Sequence, residues 1–418
     1  MSLRRHPSRA LWEGLTSPSS WGDPTRLAVD AAGTRVRFAD GTTRICGTSG
    51  LWNVPLGYGN AAIADAVSGA LRSASYLSLF RTSHVFALEA AEALLALTHG
   101  RFARVLFSTS GAAANDMTMK LVRQAATLAG HPERTLVVGL HGSYHGLTYG
   151  SLSLSGDPLG QAVYGADRRA VRHVSAHDGG RQLRQLFERE GERIAALVLE
   201  PVLGSGAFVL DDEFLSAVAE IRACFDVVLV ADEVATGFGR TGELFASDRW
   251  PVRPDVLVVS KALTNGATAA AAVLVAEEIC EVFDRSDAVF VHGETQAGTP
   301  AACAAILATL AEFERMDALS LACELGNALG TTIARISAHP LAVGTQGSGC
   351  FRSIQLAHEG RPLDGAQVSS VVASVRRAGA IVQPGPSCVQ LIPAFVYGAE
   401  DLRELETAVL HGLDEVTM

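Results

Sequence analysis

Two ionisable residues stand where apolar runs end. Asp232 closes the run 227–231, and Lys261 follows the run 256–259 across Ser260. A carboxylate at the end of a buried strand is costly without a partner; a protonated heteroaromatic nitrogen is one such partner, and a helix N-cap is the plainer role. A lysine among cationic or apolar neighbours loses basicity, and its free amine then forms a Schiff base with a carbonyl. A lone lysine is ordinarily a solvated surface charge, so the weight of Lys261 comes from emerging at the same sheet edge as Asp232. A third signal, Ser108-Thr109-Ser110-Gly111-Ala112, separates the apolar run 104–107 from a helical pattern with Ala114, Met117, Leu121, Ala125 and Leu128 on one face. A small-residue turn opening a helix offers free N–H groups and a positive dipole end to an anion, and it suits a simple N-cap equally well.

Those signals need a scaffold. The continuous Val/Ile/Leu runs at 104–107, 135–139, 195–199, 227–231 and 256–259 alternate with helical patterns, which predicts parallel strands buried on both faces and an α/β domain with its ligand loops at the strand C-terminal ends. Residues 25–48 alternate apolar and polar around the turns Ala32-Gly33 and Asp40-Gly41, which predicts a β-meander. A long helical pattern at 301–315 precedes mixed elements that run to Met418. The predicted division is 1–55 and 306–418 in a small α/β domain drawn from both termini, with 56–305 as the large domain.

Composition narrows the function. With 418 residues, 48% of them hydrophobic, the chain can bury a large core. The net charge is −10 with the 34 basic residues scattered, which argues against nucleic acid and anionic membranes as partners. The seven cysteines are widely spaced without a CxxC pair, so reduced, mostly buried thiols in the cytoplasm and no metal site are expected. The first fifteen residues carry Arg4, Arg5 and Arg9 but no apolar core behind them, so no secretory signal is expected there. The longest apolar stretch, 267–276, is Ala-rich and about half the length of a bilayer span.

Ser-Gly-Ala-Ala-Ala-Asn-Asp at 110–116, Tyr-His-Gly at 144–146, Glu-Pro-Val at 200–202, Asp-Glu-Val-Ala-Thr-Gly-Phe-Gly-Arg-Thr-Gly at 232–242, Ser-Lys-Ala-Leu at 260–263 and His292-Gly293-Glu294-Thr295 occur in that order across nearly the whole chain. Together they resemble the class III aminotransferases, and Leu51-Trp52-Asn53-Val54 with Phe80-Arg81-Thr82-Ser83-His84 resembles the omega-transaminase branch. The resemblance implies the pyridoxal-phosphate (PLP) fold type I, with a mostly parallel seven-stranded sheet, and PLP as cofactor. It implies that Ser110, Gly111 and Ala112 receive the phosphate, that Tyr144 stacks on the ring opposite Val234, and that His145 and Glu200 belong to the cofactor site. Asp232 would keep the ring nitrogen protonated, and Lys261 would be the Schiff-base lysine and general base. Thr295 would reach the phosphate of a neighbouring subunit in a homodimer with shared sites. Trp52 and Phe80 would line the substrate pocket.

Two departures from the family pattern matter. The usual Ser-Gly-Ser-Glu-Ala-Asn reads Ser110-Gly111-Ala112-Ala113-Ala114-Asn115, losing a hydroxyl and a carboxylate, so weaker or differently tuned cofactor binding is expected. Where the family carries an arginine that clamps a substrate α-carboxylate, this chain has Gln383. The expected reaction moves an amino group from a small amino-acid donor to a ketone or aldehyde without a free α-carboxylate, on a scaffold such as a peptide, polyketide or sugar-like intermediate. The aminotransferases of daptide-type ribosomal peptide (RiPP) pathways are the named case. Arg81, Arg240 or Arg352 would recognise the donor. The alternatives are an ordinary omega-amino-acid or diamine aminotransferase, a PLP-dependent isomerase or decarboxylase, and a non-catalytic binding protein on the same scaffold.

Overall fold

The computed structural model describes residues 10–415. Arg4, Arg5 and Arg9, on which the reading of the N-terminal segment rests, lie outside the described residues, as does Met418. The central sheet has seven strands in the order Arg104–Ser108, Ala271–Val275, Val256–Val259, Val228–Asp232, Ile194–Leu199, Leu136–Leu140, Val171–Val174. All run parallel except Ala271–Val275, which is antiparallel to both of its neighbours.

Alternate side chains of these strands enter different cores. Val138, Leu140, Leu197, Leu199, Leu229 and Leu257 pack on one face, while Val137, Ala196, Val198, Val230, Val256 and Val258 pack on the other with Met117, Leu121 and Val122 of the helix Gly111–Leu128. Burial on both faces is why the sequence shows unbroken apolar runs rather than alternation. The Ala-rich stretch 267–276 supplies the antiparallel strand, and Ala271 to Val275 are all buried. No helix of the described residues is long and apolar enough to cross a membrane.

The meander at 25–48 is three antiparallel strands, Ala28–Ala32, Arg35–Phe38 and Thr43–Cys46, and the last pairs in parallel with Ala380–Ile381, so the two ends of the chain share one sheet. The helical pattern at 301–315 is the helix Pro300–Arg315. A further sheet joins Ala342–Ser348, Phe351–His358, Cys388–Leu391 and Gln383–Gly385, all antiparallel. Five cysteines are buried and all seven are free thiols, but Cys224 and Cys323 are exposed. Cys224 is the last residue of the helix Asp212–Cys224 and Cys323 lies on the outward side of Ala318–Ile336, so apolar neighbours in sequence did not translate into burial there.

Candidate active site

Register sets which residues meet. Asp232 pairs with Val258, so the chain that continues to Lys261 leaves the sheet at the same edge, and Ala271 beside Ser108 brings the turn 108–112 alongside. Ser110 caps the helix Gly111–Leu128 by accepting from Ala113 N at 3.2 Å. Capping and anion binding are therefore not rivals here: the cap takes one donor, and Gly111 and Ala112 have N–H groups that the helix itself does not use.

Two close approaches draw further elements onto that helix end. A Cβ on Gly146 would stand 2.3 Å from the Ala112 side chain, and one on Gly111 would stand 2.8 Å from Val234. Tyr144, His145 and Val234 are thus packed against the helix N-terminus, and together with Ser110, Gly111, Ala112, Glu200, Asp232, Lys261 and Trp52 they line one cleft of about 270 Å³.

The carboxylate of Asp232 is buried and held by Asn115 Nδ2 at 2.8 Å, His145 Nδ1 at 2.7 Å and Val234 N at 3.1 Å. Burial opposes charge on His145, but the hydrogen bond and charge of Asp232 outweigh it and raise the imidazole pKa. Glu200 accepts from Tyr144 N at 2.8 Å and Gly204 N at 3.0 Å, and burial pushes its carboxyl up to about 7. The amine of Lys261 is enclosed; burial lowers its pKa to about 8 against the opposing pull of Asp232 and Glu200, with the Arg240 charge adding to the lowering. A lysine near 8 has a substantial neutral fraction at physiological pH, the form that attacks carbonyls.

Phe80, Thr295, Gln383 and Arg240, all expected at the site, stand apart from this cleft. Phe80 and Thr295 belong to another surface, where a Cβ on Gly293 would meet the Phe80 ring at 2.6 Å and Tyr76 Oη donates to Thr295 O at 3.0 Å. Gln383 lies on the strand Gln383–Gly385 and is not among the residues lining the cleft. Arg240, expected at the substrate, is fully buried and donates to Pro393 O at 2.9 Å, Ser49 Oγ at 2.7 Å and Trp52 O at 3.1 Å, so its guanidinium is not offered to a ligand. Arg352 likewise donates to Gly349 O and Gly347 O. Two residues were given no role from sequence. Asn115, one helical turn beyond Gly111, was legible as a polar position on a buried helix face. Glu294 accepts from Ser108 Oγ at 2.5 Å, from Thr109 N at 3.2 Å and from Thr109 Oγ1, which no local pattern signals.

A larger hollow of about 640 Å³ lies at the opposite end of the strands, but its Arg101 and Arg222 are paired with Asp248 and Asp255, and no nucleophile faces it. The smaller cleft is the one that gathers Lys261 with the buried carboxyls of Asp232 and Glu200. The class III aminotransferase family model matches residues 19–412. The chain belongs to the class III aminotransferases. It is 30% identical over 427 residues to omega-amino acid–pyruvate aminotransferase of Pseudomonas putida, covering 96% of this chain and 94% of the relative. It is 29% identical over 386 residues to vanillin aminotransferase of Capsicum chinense, covering 85% and 84%. The amine transaminase from an uncultivated Pseudomonas species, solved in its PLP-bound form, superposes with a TM-score of 0.92 at 27% identity over 98% of this chain and 99% of that one.

This class III aminotransferase has the PLP fold type I and uses PLP. The residues present fit the group. The helix N-terminus suits a phosphate, the buried carboxylate suits a ring nitrogen, and the enclosed amine suits an aldehyde. The buried atoms His145 Nε2, Asn115 Oδ1 and Trp52 Nε1 have no protein partner, as expected of a cleft shaped for a polar guest.

Proposed function

We propose that this aminotransferase delivers an amino group to a ketone or aldehyde that carries no free α-carboxylate. The observation that carries the reading is that no arginine lines the cleft: Lys261 is the one lysine that lines it among the described residues, while Arg240 and Arg352 are bonded to the protein itself. A carboxylate entering this cleft would meet Glu200 and Asp232 without a charge-assisted fork to balance them. Gln383, at the position that resembles the family's clamp, adds no charge.

Lys261 would hold the cofactor and, when displaced by the incoming amine, move the substrate proton as general base. When bound, PLP supplies an electron sink for the negative charge left by that proton. Asp232, fixed by Asn115 and His145, would hold the ring nitrogen protonated; Gly111 and Ala112 would receive the phosphate; Tyr144 and Val234 would face the two sides of the ring. Thr295, outside its own cleft, would serve the neighbouring subunit of a homodimer. Arg81 has no intramolecular partner among the described residues to compete with an amino donor's carboxylate. A cytoplasmic enzyme of specialised biosynthesis acting on a carbonyl at a peptide terminus fits this account.

The likeness to an omega-amino acid–pyruvate aminotransferase supports a second reading, an ordinary omega-amino-acid or diamine aminotransferase; the likeness to a vanillin aminotransferase supports an aldehyde acceptor. The test is to supply the PLP-loaded enzyme with an amino donor and, separately, an aromatic aldehyde, a methyl ketone, a peptide ending in a ketone, pyruvate and 2-oxoglutarate. Higher kcat/KM is expected for the first three. Faster amination of the two oxo acids overturns the proposal in favour of the second reading.

A further inference from the structure

Ser49, Gly50, Leu51 and Trp52 carry φ values of 41, 62, 58 and 71°. With ψ of 48° at both Gly50 and Leu51, the chain makes a turn of left-handed helix, closed by Trp52 N to Thr48 O at 2.7 Å and Asn53 N to Ser49 O. Of the four residues only Gly50 is suited to that conformation, so the turn persists because its surroundings impose it.

The restraints can be named. Asn53 Nδ2 donates to Gly50 O and Leu51 O at 3.0 and 2.9 Å, and Ser49 Oγ donates to Ile392 O at 2.7 Å. The guanidinium of Arg240 spans the turn: Nη2 reaches Ser49 Oγ at its first residue and Trp52 O at its last, while Nη1 is anchored on Pro393 O and the group lies 5.0 Å from the Phe395 ring centroid. Arg240 is 0% exposed, and among the described residues no carboxylate pairs with it. A buried cation satisfied only by neutral acceptors is an expensive arrangement, which argues that its fork geometry is needed there. At the far end of the turn, the Trp52 ring sits 4.2 Å from Lys261 Nζ and is braced edge-on by Phe351 at 5.3 Å.

We propose that Arg240 is a positioning residue for amino transfer: by bridging the first and last residues of the left-handed turn Ser49–Trp52, it fixes the Trp52 ring against the Lys261 amine. Arg240 touches no substrate. It acts through Trp52, which walls one side of the amine and limits the directions in which the amine can turn. A lysine in its place has a single ammonium that cannot reach Ser49, Trp52 and Pro393 in the same fixed plane. The assignment is independent of which carbonyl acceptor the enzyme uses.

The experiment compares wild type, R240K, W52F and the double variant. In the PLP-loaded enzyme, R240K is expected to lower kcat by about tenfold or more, since small misplacements of reacting groups have effects of that order. In the W52F background the same change is expected to alter kcat by less than about twofold, because the route of action is gone. In the cofactor-free protein, the part of the near-ultraviolet circular dichroism that W52F removes is expected to be missing from R240K as well. An equal loss of kcat with and without Trp52, or an intact Trp52 signal in R240K, overturns the proposal. If R240K does not fold, S49A removes one of the turn's two contacts with Arg240 and takes its place: a loss of about threefold that depends on Trp52 is expected, and unchanged kcat overturns the proposal.

Discussion

Trp52 lays its indole ring 4.2 Å from the Lys261 nitrogen. The ring, Glu200 and Asp232 enclose the amine, and burial outweighs the two carboxylates, holding its pKa at about 8 instead of the usual 10.5. A lysine whose folded-state pKa is lowered penalises folding wherever the native state must carry the charge. The penalty is full below about pH 8 and fades to nothing as pH rises through 10.5, where the unfolded chain is neutral too.

K261M keeps the aliphatic stem and removes the charge. It is expected to abolish amino transfer and yet stabilise the cofactor-free protein by about 1–3 kcal/mol at pH 7, a gain that shrinks above pH 8 and is absent near pH 10.5. Urea denaturation across that range measures it. A destabilisation that is constant with pH would mean that the amine is not strained by burial.

D232N retains the shape of the side chain but offers no negative charge to a ring nitrogen. A fall in kcat of about 10²–10³-fold is expected, in keeping with loss of one preorganised electrostatic contact. Asp232 also raises the His145 pKa, so the stability that a charged His145 contributes is present below pH 6.5 and is lost as pH rises through its raised value. In D232N the imidazole titration, followed by NMR, should move down.

Ala112 stands where the family has a hydroxyl. A112S adds one donor at the helix N-terminus and is expected to lower the Kd for PLP by about fivefold, the worth of roughly 1 kcal/mol. Equilibrium dialysis against PLP gives the value; no change would show that the phosphate is not seated against residue 112.

Q383R restores a guanidinium at the position that resembles the clamp. The ratio of kcat/KM for pyruvate to that for an aromatic aldehyde is expected to rise by about tenfold or more, since a charge-assisted fork is worth roughly 1.5–3 kcal/mol. A ratio unmoved by the substitution would place residue 383 away from the substrate.

The parts of the fold that were legible in the sequence are those fixed by local chemistry. Strands buried on both faces leave unbroken Val/Ile/Leu runs, and the runs ending near Ser108, Asp232 and Val259 fall within a residue of the strands Arg104–Ser108, Val228–Asp232 and Val256–Val259. Ala271–Val275 was not read as a strand because alanine is a poor strand signal, and its place between two strands is decided by tertiary packing. Val171–Val174, with Arg172 and His173 in its middle, lacks an apolar run. The residues of the cleft carried motifs, so their types were visible. The state of Arg240 was not: a guanidinium bonded to three backbone or hydroxyl oxygens from the segments at 49–52 and 393 reads, in sequence, like one free to bind a carboxylate. Nor does any pattern mark four consecutive positive φ values when only one of the residues is glycine.

The central claim is amino transfer at Lys261 to a carbonyl without an α-carboxylate. It is tested most directly by loading the enzyme with pyridoxamine 5'-phosphate, mixing it rapidly with an aromatic aldehyde or with pyruvate, and following the return of pyridoxal absorbance. Faster return with the aldehyde, absent in K261M, is the expected result. Faster return with pyruvate, or no return with any carbonyl compound, would contradict the account.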